Sequence, residues 1–366
     1  DNKTRPILDN LVIFNNRQLS GNGGGGLAIV GNSSTLVRKS KIYSNSATRG
    51  GGIFTQSGAT PTFENLLIFN NASLWGQGAG IYFEHGAIPV IVNVTIVSNQ
   101  GCGISLRGTN ESNESTIPVI LNSIIWGNSN GQMTIEDAES EDDPGNFSIL
   151  YSVVDGGESG IDIWNNNGTY TWGDGNIDAD PMFVDTANGN YHLKDWSPAI
   201  GAGTASGAPT TDIEGKQRGS NPDMGAYENQ YGSPQNAPPV LSEITDVSVN
   251  EDESITVTLE AINADSADND AITFSASSEK TEVKLSMGSV SGKVNISADE
   301  NWNGLSKISV EATDGTAFDY GNFTVTFLPV NDKPVIASIA SDTTNEETAK
   351  SIQVTASDID GDELSI

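Results

Sequence analysis

The sequence predicts an all-β protein in two parts, a parallel β-solenoid followed by β-sandwich repeats. Three observations predict it. Short runs rich in Val, Ile and Thr are bounded by Gly and Asn, the pattern of strands and turns. A seven-residue motif returns every 26 to 29 residues in the N-terminal half. A second repeat, 95 residues long, governs the C-terminal part. No stretch of about 10–12 residues carries a helical period.

The short motif reads Asn10-Leu11-Val12-Ile13-Phe14-Asn15-Asn16 and returns with its closing Asn at positions 45, 71, 99 and 128, spacings of 29, 26, 28 and 29. A Gly-led ladder follows each copy, at Gly26-Leu27-Ala28-Ile29, Gly52-Ile53-Phe54-Thr55, Gly80-Ile81-Tyr82-Phe83 and Gly103-Ile104-Ser105-Leu106. A Pro-led ladder precedes it, at Pro61-Thr62-Phe63, Pro89-Val90-Ile91 and Pro118-Val119-Ile120. Three short strands per period of roughly 28 residues make one coil of a solenoid. Ile13, Ile42, Ile68, Ile96 and Ile125 are expected to form one inward column. Asn16, Asn45, Asn71, Asn99 and Asn128 are expected to form a structural ladder, passing amide hydrogen bonds from coil to coil.

The coil period fades after about residue 156, and a different set of motifs begins: Asn176-Ile177-Asp178-Ala179-Asp180-Pro181-Met182-Phe183, then Thr211-Asp212-Ile213-Glu214-Gly215, then Pro222-Asp223-Met224-Gly225-Ala226-Tyr227-Glu228. This set resembles the closing segment of secreted bacterial right-handed parallel β-helix proteins, the choice-of-anchor Q type, over residues 176–228. The resemblance implies a right-handed β-helix over 1–230 with a C-terminal cap, which would cover the apolar core at the open end of the stack.

The long repeat is set by Asn236-Ala237-Pro238-Pro239-Val240, which returns as Asn331-Asp332-Lys333-Pro334-Val335, an offset of 331 − 236 = 95. Expected strands lie at 254–259, 271–276, 293–297, 307–312 and 322–328. The reading is a linker at 231–240, an immunoglobulin-like sandwich at 241–332 and the start of a second copy at 333–366. Asn250-Glu251-Asp252-Glu253, Asn301-Trp302-Asn303-Gly304 and Ala312-Thr313-Asp314-Gly315 resemble the tandem cadherin-like repeats of bacterial surface proteins. That resemblance implies Ca²⁺ where repeats meet, held by Glu251, Asp314, Asn331, Asp332, Glu346, Asp358 and Asp360. Hard oxygen ligands of this kind suit Ca²⁺.

A formal charge of −31, from 48 acidic and 17 basic residues, argues against nucleic acid and anionic lipid as partners. No apolar run of about 18 residues offers a membrane span. Cys102 is the only cysteine, so no internal disulfide forms. The chain starts and stops within apparent repeats and reads as a segment of a longer protein.

Catalytic candidates are few. Arg38, Lys39, Lys41 and Arg49 gather within a short stretch, His85 and His192 have no partner motif, and the run from Glu136 to Asp143 reads as a protruding acidic loop. Trp164, Tyr170 and Trp172 lie in a polar stretch where exposed rings would stack on sugars. The expectation is a secreted, surface-attached module of adhesin type, a rigid β-helix on a calcium-stiffened stalk, with polysaccharide as its partner. Two alternatives stay open: a polysaccharide lyase or glycoside hydrolase working in a groove on the β-helix face, and a scaffold with no specific ligand.

Overall fold

The computed structural model of the chain describes residues 5–18, 23–84, 86–107, 118–136, 145–164, 168–263, 271–287 and 292–365. It divides into two units, 1–235 and 236–366.

The first unit is a right-handed β-helix whose coils are built from three parallel sheets. The Pro-led sheet stacks Ile7–Asp9, Leu36–Arg38, Thr62–Glu64, Val90–Val92, Val119–Leu121, Gly145–Leu150 and Gly168–Trp172. One residue then turns the chain. Asn10, Lys39, Asn65, Asn93, Asn122 and Tyr151 hold this corner in the left-handed region, with φ between 47° and 55°. Asn accepts that conformation more readily than most residues, which explains its recurrence there. The Asn-flanked sheet follows, with Val12–Phe14, Lys41–Tyr43, Leu67–Phe69, Thr95–Val97, Ile124–Trp126 and Val153–Val154. The Gly-led sheet completes the coil, with Leu27–Val30, Ile53–Gln56, Ile81–Glu84, Ile104–Arg107, Met133–Glu136 and Ile161–Ile163.

Between the last two sheets lies a buried amide file. Asn16 Nδ2 donates to Asn45 Oδ1 at 2.9 Å, Asn45 to Asn71 at 3.0 Å, Asn71 to Asn99 at 3.1 Å and Asn99 to Asn128 at 2.9 Å. Each Oδ1 also accepts the backbone N–H of the Asn one coil before, so these polar groups are satisfied in the interior. Gly at the head of the Gly-led strands follows from packing: a Cβ on Gly80 would stand 2.5 Å from the Gly103 carbonyl oxygen.

Residues beyond 176 run back along the stack instead of simply sealing its end, as the cap reading had expected. Ile177 bridges to Val153 and closes the last coil. The rest packs on the outer face of the Asn-flanked sheet, where Leu67, Val97, Ile124 and Val153 meet Tyr191, Ala199, Ile213, Met224 and Tyr227. Corner Asn residues hold it there: the Nδ2 groups of Asn65, Asn93 and Asn122 donate to the carbonyls of Thr211, Asp223 and Thr204 at 2.7, 2.9 and 2.8 Å. An apolar outer face needs such a cover.

The second unit is an immunoglobulin-like sandwich. One sheet orders Val247–Asn250, Phe318–Leu328, Gly304–Thr313 and Thr273–Ser278; the other orders Ser254–Thr258, Lys293–Ala298 and Val283–Met287. Val257, Val294, Ile296, Ile308, Phe323, Val325 and Phe327 fill the space between them. Strands 247–250 and 283–287 were not among those expected. Beyond the sandwich, Val335–Ile336 pairs antiparallel with Ala356–Ser357.

Candidate functional site

Two groups of side chains carry chemistry. The first lies at one end of the sandwich. Glu251 is buried, its Oε1 accepting from Val330 N at 2.6 Å and its Oε2 from Asn303 Nδ2 at 3.1 Å. Asp332 N donates to Asp360 Oδ2, and Asp360 N to Asp358 Oδ1 at 3.0 Å. Reduced solvation and the carboxylates of Asp360, Asp252, Glu251 and Asp358 hold the Asp332 carboxyl above its ordinary range. Its Oδ2 is enclosed without a hydrogen-bond partner among the described residues.

The other residues implied by the cadherin-like resemblance stand apart. Asn331 is exposed and turns its Nδ2 onto the Asp332 carbonyl. Glu346 is exposed in a turn. Asp314 follows the strand Gly304–Thr313, whose other end lies near Leu328, so roughly 30 Å of strand separates it from Glu251. There Asp314 accepts from Asn236 Nδ2 at 3.0 Å and from Thr316 N and Ala317 N at 2.8 Å each, bonds that lower its pKa against a desolvation that raises it. Asn236 is the 95-residue counterpart of Asn331, so the named ligands belong to opposite ends of one repeat. The loop from Asp265 to Asp270 lies outside the described residues. Among the described residues, no group of three or more His, Cys, Asp or Glu side chains is arranged to hold a metal ion.

The second group was not foreseen. On the Gly-led sheet, Ile81 and Phe83 point into the core while Tyr82 and Glu84 point outward. In register beside Glu84 stand Arg107 and then Glu136, a Glu–Arg–Glu file across three coils. Outward residues of a solenoid normally meet water, yet Glu84 and Glu136 are each only 2% exposed. Tyr82 Oη donates to Glu136 Oε2 at 3.1 Å, and the Glu136 Oε1 has no hydrogen-bond partner among the described residues. Burial pushes the Glu136 carboxyl up to about 7, against the opposing pull of Tyr82, Arg49, Ser105 and Arg107. Burial, then Glu136 and Glu84, raises the Tyr82 phenol. Arg49 reaches over the group. Its guanidinium lies 3.7 Å from Glu84 Oε2, 5.4 Å from the centre of the Tyr82 ring and 4.9 Å from that of Trp75, and its Nε donates to Gln77 Oε1 at 2.9 Å. Cys102 is buried beneath, its thiol pushed up to about 11 by burial, as suits an inert packing residue.

The structure separates the basic residues that the sequence brings together. Arg38 pairs with Asp9 at 2.7 Å on the exposed edge of the Pro-led sheet, and Lys41 lies 5.7 Å from the Tyr227 ring on the Asn-flanked sheet. Only Arg49 joins the carboxylates. His192 pairs with Glu214 at 3.1 Å on the closing segment, and His85 lies outside the described residues, as does 137–143 of the acidic run; Glu136 itself ends a buried strand. Of the three aromatics, Tyr170 stacks on Phe147 at 5.7 Å and Trp172 packs on the solenoid core, because their strand is the last of the Pro-led sheet. Trp164 is 42% exposed.

The conspicuous acids of the closing segment are architectural. Arg218, almost wholly enclosed, donates to Glu228 Oε2 at 2.9 Å and to Asn65 Oδ1 at 2.8 Å. Asp212 and Asp223 accept backbone N–H groups. Burial raises Asp223 to about 6.

No curated protein matches the chain. A family model described as a right handed beta helix region matches residues 7–176, and one described as a bacterial Ig domain matches residues 236–326. Among the described residues, no helix is long and apolar enough to cross a membrane. The chain is thus an all-β molecule, a right-handed β-helix followed by an immunoglobulin-like sandwich, an architecture typical of extracellular proteins and compatible with a surface module.

Proposed function

We propose that the chain is an adhesin-type module of a secreted, surface-attached protein, in which Ca²⁺ orders the passage from one cadherin-like repeat to the next. The observation that carries this reading is the enclosed Asp332 Oδ2, without a hydrogen-bond partner among the described residues, beside Asp360, whose carboxylate accepts Asp332 N where residue 331 begins the second copy. Like charges held in one another's field are unfavourable until a cation neutralises them. The donors are all oxygen, as Ca²⁺ prefers. The carboxylates are not gathered about one point, so binding would draw them inward and tie the 358–362 turn to the sandwich. The closing segment, similar to the choice-of-anchor Q type, serves as the cover of the β-helix.

Calorimetric titration of the whole chain with CaCl₂ tests this. Binding that disappears in Asp332→Asn/Asp360→Asn supports the reading. Absence of heat, together with equal melting in calcium and in chelator, refutes it.

A second reading, cleavage of a polysaccharide, is favoured by the Glu84–Glu136 pair. Two strand spacings place their backbones roughly 10 Å apart, with Arg107 in register between them. Glu136 also keeps its proton near neutrality, as a general acid requires. The enclosure of both groups weighs against it. Shortening of any polysaccharide that stops in Glu136→Gln would establish this reading; an unshortened panel would remove it.

A further inference from the structure

We propose that the indole of Trp75, with Arg49 behind it, is a binding platform for a neutral polysaccharide. This deepens the surface-module reading, on which it rests, by naming the contact site and the class of ligand.

Trp75 is 62% exposed and its neighbour Leu74 is 59% exposed. A loose loop would explain such exposure without function, but this turn is fixed to the stack. Leu74 N donates to Ala47 O at 2.9 Å and Trp75 N to Thr48 O at 3.3 Å, continuing the inter-coil ladder. Gly76 N donates to Ser73 O at 3.1 Å, and Gly76 O accepts from Cys102 N of the next coil at 2.7 Å. The backbone under the indole is therefore hydrogen-bonded to the coils on both sides, while Trp75 stays largely exposed. The ring is also held from one side. Arg49 lies between the Trp75 and Tyr82 rings, tied to Gln77 and to the buried Glu84. A buried carboxylate keeps its cation in place, because separating them leaves an uncompensated charge. The Glu84–Tyr82–Glu136 group thereby acts as a positioning layer for Arg49, and Arg49 for Trp75. Rigid presentation of a large ring lowers the ordering cost of binding.

The chemistry of the site selects the ligand. An exposed indole takes the C–H face of a pyranose ring, and donors beside it take the hydroxyls; Gln77 and the exposed Asn130, whose Nδ2 lies 3.5 Å from Gly76 O, stand beside Trp75 in the fold. A cationic ligand is disfavoured, since Arg49 already occupies an aromatic face. An anionic polymer is disfavoured, because the chain carries −31 overall.

The test is affinity electrophoresis of the whole chain in native gels containing hydroxyethylcellulose, xylan, galactomannan, laminarin or glycogen, with alginate and polygalacturonate as acidic probes. The expected result is retardation in at least one neutral gel, weakened at least tenfold in Trp75→Ala and maintained in Trp164→Ala, with the variants' melting unchanged. Four outcomes overturn the proposal: no retardation in any neutral gel, retardation only in the acidic gels, retention in Trp75→Ala, or loss in Trp164→Ala instead. Calcium titration reads the surface-module proposal separately, so a chain that binds calcium and no neutral polymer loses only the platform.

Discussion

Replacing Glu136 by Gln should change how the stability of the β-helix depends on pH, and the sign follows from its burial. The folded chain holds the Glu136 proton up to about pH 7, against an ordinary value of 4.5. Between those limits the folded state binds more protons than the unfolded state, so stability falls as pH rises through the window. The span corresponds to roughly 3 kcal/mol, at 1.36 kcal/mol for each pH unit. The ionised carboxylate thus opposes folding fully above pH 7, and the opposition is relieved as pH falls toward 4.5. The neutral amide of the variant would keep an oxygen for the Tyr82 hydroxyl and abolish the titration. Thermal unfolding of wild type and Glu136→Gln, each at pH 5 and pH 8.5, isolates the group, because other titrations cancel in the difference. About 2.5 kcal/mol of that span lies between pH 5 and pH 8.5, so the variant should gain on wild type by roughly 5–10 °C in Tm on going from pH 5 to pH 8.5, at about 2–4 °C per kcal/mol for a unit of this size. A difference between the proteins that stays constant across the two pH values would refute the burial argument.

Further expectations come from the same structure. Asn71→Ala removes two donated bonds and strands the N–H groups of Asn45, which should cost about 3–5 kcal/mol, while Asn16→Ala at the exposed end of the file should cost about 1 kcal/mol; paired thermal melts compare them. Arg218→Met leaves the enclosed Glu228 carboxylate without its cation, a loss of about 3–5 kcal/mol that should loosen 177–228 from the helix face and be read as faster tryptic cleavage within that segment. Calcium should raise the melting temperature of the second unit and leave that of the first unchanged, as followed by differential scanning calorimetry.

The fold class was legible because a solenoid repeats its constraints. Every coil must offer an apolar residue where Ile42, Ile68, Ile96 and Ile125 stand, and every corner needs a residue at ease in the left-handed region. Such demands recur at nearly constant spacing and survive changes elsewhere. The strands 247–250 and 283–287 were harder to see because each offers few inward side chains, among Val-Ser and Lys-Ser alternations open to water. The course of the closing segment was encoded, though indirectly. Leu67, Val97 and Ile124 are apolar on the outward side of their strands, and a strand apolar on both faces is covered on both faces. The packing of Tyr170 and Trp172 was hidden because their polar sequence neighbours suggested a surface loop, while their places in the last Pro-led strand set their contacts.

The carboxylate group shows where sequence reading stops. Glu84, Arg107 and Glu136 are separated by 107 − 84 = 23 and 136 − 107 = 29 residues, and no local motif joins them. Counting four residues from Gly80 and Gly103 does place Glu84 and Arg107 in one outward column, below Val30 and Gln56, so their adjacency could be inferred from the coil register. Their burial could not. An outward column of charge is by default a solvated face, on which an alternating Glu, Arg and Glu would only offset one another. Enclosure reverses that balance: desolvation outweighs two arginines and a tyrosine hydroxyl, and Glu136 keeps its proton near neutrality. It also gives Arg49 a fixed partner and so a fixed place against Trp75. Both the proton and the platform therefore arise from the covering of one sheet face, a property of the folded molecule that belongs to no single segment of the chain.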